Sequence, residues 1–199
     1  MKIDSLEFVL SAGSVRECPP EARPEIALSG RSNVGKSSLV NALAGRRALA
    51  KVSGTPGKTQ RLNYFVVNGA FHLVDLPGYG HAEASGAARS AWGRMMQSYL
   101  RTRRQLVGVM QLVDCRHPPS REDREMVQWL RDEQMPFIVV ANKLDELGSS
   151  KRDAAVRRLA TELELPPTQP VLGLSNKTGD GRGALLKWVE VVLEAPPQG

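Results

Sequence analysis

Nearly unbroken apolar runs alternate along this chain with longer stretches in which apolar residues recur at helical spacing. The runs at 25–29, 107–113, 136–141 and 171–174 have too few polar positions for strands with one wet face, so they read as strands buried on both sides. The stretches at 38–44, 85–104, 121–133, 151–163 and 184–193 read as helices. Gly45 is placed to stop the first of them and Ser120 to cap the third. Their expected inner faces carry Trp92, Met96, Tyr99 and Leu100 in the second, Met126, Val127, Trp129 and Leu130 in the third, and a buried Trp188 in the last. Asn68-Gly69 separates the runs at 61–67 and 70–75, and both positions of a type I′ turn need positive φ, so an antiparallel hairpin follows the first helix. Strands and helices alternate without internal repeats. That order predicts an α/β fold, a three-layer α/β/α sandwich whose mostly parallel sheet has one antiparallel edge strand.

Ahead of this series, Ile3, Leu6, Phe8, Val9 and Leu10 form a short edge element, and Pro19-Pro20 and Pro24 mark a connector. The expected organisation is an extension over 1–24 packing on a single domain over 25–194, with a short tail at 195–199. With 199 residues, 41% apolar and 24% charged, the chain has enough material for one sizeable core. Its formal charge of +6 favours an anionic partner without naming one. Cys18 and Cys115 have neither zinc spacing nor a disulfide framework and read as reduced thiols. No run approaches a membrane span, and no signal or lipidation pattern marks either end, so the expectation is a cytoplasmic monomer without a membrane anchor.

The chemistry concentrates in Gly30-Arg31-Ser32-Asn33-Val34-Gly35-Lys36-Ser37, which meets G-x-x-x-x-G-K-[ST] between a strand and a helix. This arrangement aims backbone N–H groups and a helix N-terminus at an anion. Lys36 can reach β- and γ-phosphates, and the Ser37 hydroxyl can hold Mg²⁺. Four short motifs follow in order at later strand ends. In Asp75-Leu76-Pro77-Gly78, Asp75 can order the Mg²⁺ water shell and the Gly78 N–H can meet the γ-phosphate. In Asn142-Lys143-Leu144-Asp145, Asp145 can accept from guanine N1–H and N2–H₂, a donor pair that adenine lacks. Asn142 can tie this loop to the phosphate loop, and the Lys143 stem can lie against the base. Ser175-Asn176-Lys177 can offer backbone N–H to guanine O6.

These residues resemble the TRAFAC-class GTP-binding proteins and, within them, the YihA/YsxC/EngB family of bacterial ribosome-assembly GTPases. The resemblance runs from Phe8 to Leu193. Its more specific marks are Gly30 to Leu39, Thr55-Pro56-Gly57-Lys58-Thr59-Gln60, Asp75 to Gly80, and Asp114-Cys115-Arg116-His117-Pro118-Pro119. Asn142, where a threonine is more usual, and His81, where an aromatic is common, depart from the family pattern. The resemblance implies a P-loop NTPase of the Ras-like G-domain type that binds GTP and GDP with Mg²⁺. It implies that Thr59 closes on the ion beside Ser37 and that Gly57, Lys58, Thr59, Gln60 and Arg61 touch nucleotide. It also implies work in large-subunit assembly, with rRNA and ribosomal proteins as partners, and a link to cell division and septation.

Two other readings stay open: an rRNA- or divisome-binding module in which hydrolysis is secondary, and an ATP-dependent P-loop enzyme, against which Asp145 speaks. Arg46, Arg47, Lys51 and Lys58, with Arg89, Arg94, Arg101, Arg103 and Arg104 after the D-x-x-G motif, are either an RNA-binding face or a solvated one. The candidate catalytic set is Lys36, Thr59, Gly78 and Asn33. Tyr79 stands where Ras-like enzymes carry a water-orienting glutamine, so unaided hydrolysis is expected to be slow. Asn33 either helps ligate K⁺ beside the phosphates, as in related potassium-activated GTPases, or only hydrogen-bonds within its loop; Arg61 is a candidate arginine finger.

Overall fold

The computed structural model describes residues 1–20, 22–45, 49, 61–80 and 86–195, with the backbone alone for 86–92. Among these residues seven strands form one sheet: β1 (Leu6–Ala12), β2 (Glu25–Gly30), β3 (Leu62–Val67), β4 (Phe71–Asp75), β5 (Leu106–Asp114), β6 (Phe137–Asn142) and β7 (Val171–Gly173), in the spatial order β1-β3-β4-β2-β5-β6-β7. The pairs β2–β4, β2–β5, β5–β6 and β6–β7 are parallel, whereas β3 runs antiparallel to both β1 and β4. Every residue of β2, β4 and β6 is buried, whereas β7, expected from its apolar run to be buried on both sides, is only half-buried because it is the last strand of the sheet.

Among the described residues five α-helices cover the two faces: α1 (Lys36–Ala44), α2 (Gly86–Thr102), α3 (Arg121–Asp132), α4 (Ser149–Glu162) and α5 (Arg182–Glu194). Side chains alternate along each strand, so Ala27, Val109 and Val139 pack with Tyr99 of α2, Val127 of α3 and Leu159 of α4. Ile26, Met110 and Ile138 pack on the other side with Leu39 of α1 and Val189 of α5. Ser120 caps α3 in a reciprocal box with Asp123, and Gly45 ends α1 in the left-handed conformation. Trp188 is partly rather than fully buried; Leu185, Val189 and Val192 anchor α5 instead. Trp92 falls among the side chains outside the described set. Cys18 and Cys115 are both buried thiols.

The hairpin turn also fixes the N-terminal segment. Asn68 and Gly69 have φ of 51° and 65°, as the turn demands. The Asn68 side chain accepts from the backbone N–H of Asp4 and Ser5 at 2.9 and 3.0 Å and donates to Lys2 O at 2.7 Å. β1 thereby adds to the sheet beyond β3 as its outermost strand.

Arg103, read from its basic stretch as a surface group, is held inside. Glu25, fully buried at the start of β2, accepts from Arg103 Nε and Nη2 at 2.8 and 2.6 Å, from Tyr99 at 2.9 Å and from Tyr64 at 3.3 Å. The cluster joins the end of α2 to β2, β3 and, through Pro19 O, the N-terminal connector. Burial, reinforced by the Glu25 charge, pushes both tyrosine hydroxyls up, so they stay donors.

Candidate functional site

Register sets the carboxyl ends of the parallel strands along one edge: Leu28 lies opposite Asp75, Gly30 opposite Leu112, and Asp114 opposite Asn142. The chain leaves β2 for the β4 side and then returns to β5 on the other, so the loop after β2 opens where strand order reverses, the usual place for a ligand in such sheets.

Residues 30–37 form that loop. Gly35 has φ of 107°, and a Cβ there would collide with the Asn142 amide. Glycine is required on both counts, because that amide crosses beneath the loop to donate from Nδ2 to Val34 O at 2.8 Å. Asn176 Nδ2 makes a second tie, to Gly35 O at 3.3 Å. Lys36 opens α1 and is 7% exposed. Its Nζ donates to Gly30 O and Arg31 O at 3.0 and 3.2 Å. Burial lowers its pKa, and Asp75 works against that shift. An ammonium that is buried and, among the described residues, bonded only to carbonyls, beside a helix N-terminus, is a site that favours an anion.

Ser37 Oγ donates to Asp75 Oδ2 at 2.9 Å. Burial raises the Asp75 carboxyl, while Lys36 and Ser37 pull it down. Asp75 Oδ1 is buried with no hydrogen-bond partner among the described residues. A hydroxyl and a carboxylate with a spare oxygen are the hard donors that Mg²⁺ and its waters take, so these residues fit the ion. Thr59, the other expected ligand, lies outside the described residues, as do Gly57, Lys58 and Gln60.

Beyond Asp75, Leu76 and Pro77 are buried, and Leu76 N donates to Leu28 O at 3.0 Å. Gly78 packs on the phosphate loop so closely that a Cβ would stand 2.8 Å from the Ser32 backbone. Ser32 N donates to Tyr79 O at 3.0 Å, within a parallel bridge between Arg31 and Tyr79. The Tyr79 side chain turns the other way. Its hydroxyl donates to Asp123 Oδ1 of α3 at 2.7 Å and accepts from Gln111 Nε2 of β5 at 2.5 Å. Burial and the Asp123 carboxylate push it well above 10, so it remains protonated. The side chain at the glutamine position is therefore not merely the wrong one; it is taken out of the phosphate cleft. Asn33 is exposed at φ of 62°, and its side chain makes no hydrogen bond among the described residues. Arg61, the candidate finger, pairs with Glu17 at 3.2 Å.

On the other side of the loop lies a cavity of ≈ 620 Å³, lined by Gly35, Asn41, Asn142, Lys143, Asp145 and Lys177 among others. Asp145 Oδ1 accepts from Ser175 Oγ at 2.6 Å, and that hydroxyl accepts in turn from the backbone N–H of Lys177 and Thr178. Leu144 N donates to Leu174 O at 3.1 Å, which joins the loops after β6 and β7. The structure thus brings residues 30–37, Asp75, Gly78, 142–145 and 175–177 to one edge. Two charged residues to which the sequence assigns no role meet here: Glu146 lines the cavity, and Arg116 joins it to Asp114. The signal available was the run Asp114-Cys115-Arg116 at the end of a strand.

The basic residues divide. Arg103 is committed to Glu25 and Arg101 pairs with Glu133 at 2.9 Å, while Arg94 and Arg104 are exposed. Arg46, Arg47, Lys51, Lys58, His81 and the Arg89 side chain lie outside the described set.

A family model described as 50S ribosome-binding GTPase matches residues 25–143. The chain is 46% identical over 193 residues to a probable GTP-binding protein EngB of Pelotomaculum thermopropionicum, covering 95% of this chain and 98% of that one. It is 42% identical over 193 residues to the probable GTP-binding protein EngB of Bacillus subtilis, covering 95% and 99%. In shape it resembles a crystal structure of a probable GTP-binding protein engB, with a TM-score of 0.71 and 23% identity over 85% of this chain and 98% of that one. At that identity the likeness speaks for the fold.

Proposed function

This chain belongs to the EngB family of GTP-binding proteins, and on that premise we propose that it is a GTP-hydrolysing switch that docks on the large ribosomal subunit or its precursor during assembly. The observation that carries the nucleotide half is the Asn142 crosslink. One side chain joins the phosphate loop to the loop bearing Asp145, so a guanine nucleotide spans two parts already tied together. The ribosomal half is supported by the description of the matching family model and by the net charge of +6.

In this reading Lys36 and the loop N–H groups bind the phosphates, the Gly78 N–H meets the γ-phosphate, and Asp145 selects guanine. Ser37 and Thr59 hold Mg²⁺, and Asp75 orders its waters. The ion, when bound, neutralises charge on the β- and γ-phosphates. Asn33 is free to help ligate K⁺ at the loop rim, where positive charge would favour the transition state. The protein acts as a cytoplasmic monomer, with the family's implied part in cell division and septation; among the described residues no helix is long and apolar enough to cross a membrane.

The test is sedimentation with purified ribosomal subunits in GDP and in a non-hydrolysable GTP analogue. The expected result is pelleting with large subunits in the analogue only, weakening steeply as salt rises. Equal recovery with both nucleotides, or none with either, would overturn the switch. ATP displacing bound GDP as well as GTP does would overturn the nucleotide assignment.

A further inference from the structure

Four charged groups of alternating sign are chained beside the cavity, two of which, Lys143 and Glu146, line it. Lys143, held in the left-handed conformation at φ of 66°, sends its ammonium to Asp114 Oδ2 at 3.0 Å. Arg116 closes on the same carboxylate, with Nη2 to Oδ2 at 2.7 Å, and with Nε and its own backbone N–H to Oδ1 at 2.9 and 3.1 Å. The outer edge of Arg116 then donates from Nη1 to Glu146 Oε2 at 2.5 Å. All four side chains are partly shielded, with exposures of 22% for Lys143 and Asp114, 32% for Arg116 and 47% for Glu146.

Lys143 has three carboxylates to choose from. Asp145 is two residues ahead of it and Glu146 three, on the same short turn (Leu144–Glu146). Left to itself, a flexible ammonium beside them would neutralise one or the other. The observed pairing prevents both outcomes, because Asp114 takes the lysine and Arg116 takes Glu146. Among the described residues no cation stands within ion-pairing distance of Asp145, whose one hydrogen-bond donor there is the neutral Ser175 hydroxyl. Burial alone would raise the Asp114 carboxyl; hydrogen bonds from Arg116 and Lys143 overcome it and hold the group well below the usual carboxylate range. Asp114 therefore stays charged wherever the protein works.

We propose that Asp114, braced by Arg116, is a positioning residue for guanine selection: it draws the Lys143 ammonium away from Asp145, so that this carboxylate stays open to the base. Anchoring also orders the Lys143 stem along the cavity wall before nucleotide arrives, which removes that ordering cost from binding. The inference rests on the reading that this cavity holds the base.

The readout is the ratio of GDP to IDP affinity, measured by competition against a fluorescent GDP analogue, because IDP lacks only the 2-amino group that Asp145 would accept from. The parent should favour GDP by at least about tenfold. Asp114→Asn keeps the shape but not the charge, and it should weaken GDP about tenfold while lowering the ratio, since the released ammonium turns to Asp145. In a Lys143→Met background there is no ammonium to release, so adding Asp114→Asn should leave the ratio where Lys143→Met alone put it. If Asp114→Asn melts too low for titration, Asp114→Ser, whose hydroxyl can still accept from the Arg116 N–H, should show the same loss, again absent in the Lys143→Met background. An unchanged ratio in Asp114→Asn, or an equal drop in both backgrounds, would overturn the proposal. A parent ratio near one would instead show that the base does not lie against Asp145 at all.

Discussion

Changing Tyr79 to phenylalanine deletes one oxygen from a position 5% exposed and leaves the ring in place. That oxygen donates to Asp123 and accepts from Gln111. Its removal leaves a buried carboxylate oxygen short of a donor and a buried amide N–H with only a long contact to Leu112 O at 3.4 Å. Losing a hydrogen bond to a charged group costs about 1.5–3 kcal/mol. Asp123 Oδ2 keeps its bonds from the Ser120 N–H and hydroxyl at 2.8 Å each, so the α3 cap survives and nothing larger is expected. For a chain of this size each kcal/mol lowers the melting temperature by about 2–4 °C, so the variant should melt about 3–12 °C lower. Melting is followed by circular dichroism at matched nucleotide concentration, since bound nucleotide raises the transition by mass action. Single-turnover GTP hydrolysis should stay within about twofold of the parent, because the lost hydroxyl faces α3 rather than the phosphate loop. An unchanged melting temperature would refute the network. A hydrolysis rate about tenfold lower at unchanged stability would mean that the hydroxyl works in the cleft after all.

Arg103→Ala should cost about 3–5 kcal/mol, because it strands the Glu25 carboxylate inside the protein; urea unfolding reads this directly, and a loss below 1 kcal/mol would show the cluster to be dispensable. In Asp145→Asn the amide can donate to a 2-oxo group, so GTP affinity should fall and XTP affinity rise; unchanged GTP affinity would remove this residue from base recognition. Hydrolysis by the parent should be faster in KCl than in NaCl at matched ionic strength, with the difference lost in Asn33→Ala; equal rates in the two salts would dismiss a monovalent-ion role in the isolated protein.

What was legible in the sequence is what depends on near neighbours. Asn68-Gly69 dictates its turn because two consecutive residues must take positive φ, and Ser120 caps α3 with a partner three positions on. The phosphate loop is equally local, since its glycines and Lys36 act within eight residues. The Asn142 tie spans 108 positions, yet it was legible because strand order puts both loops at one sheet edge. Arg103 was not. On a basic stretch an outward and an inward arginine look alike, and the deciding residue is Glu25, 78 positions earlier, which no spacing rule connects to it. The same holds for Tyr79, whose partner Asp123 lies 44 residues ahead and which in sequence is only a missing glutamine. Asp114 and Arg116 were noticed as a mark of resemblance, but their use depends on the direction of the Lys143 side chain, which no pattern of residue types encodes.

The rigid placement of Tyr79 narrows where any acceleration of hydrolysis can come from. Because its backbone is bridged to Arg31 and its hydroxyl is bonded to α3, this residue cannot swing toward an attacking water without breaking the bridge or leaving Asp123 Oδ1 without that donor. Among the described residues Arg61 is turned to Glu17, and the Arg31 guanidinium lies over Gly80, 3.0 Å from where a Cβ would stand. Lys36 and the α1 N-terminus then carry the positive potential of the phosphate loop. Both act on the phosphates in the ground state as well as the transition state, so they favour binding more than turnover. Among the described residues there is a device for binding and none for orienting water, which suits the proposal that hydrolysis is completed by something added, at the exposed rim where Asn33 stands or from a docked partner. On that view the Tyr79 bond to α3 is more than packing. It helps to hold Gly78 against Ser32 at the place where the γ-phosphate is proposed to sit.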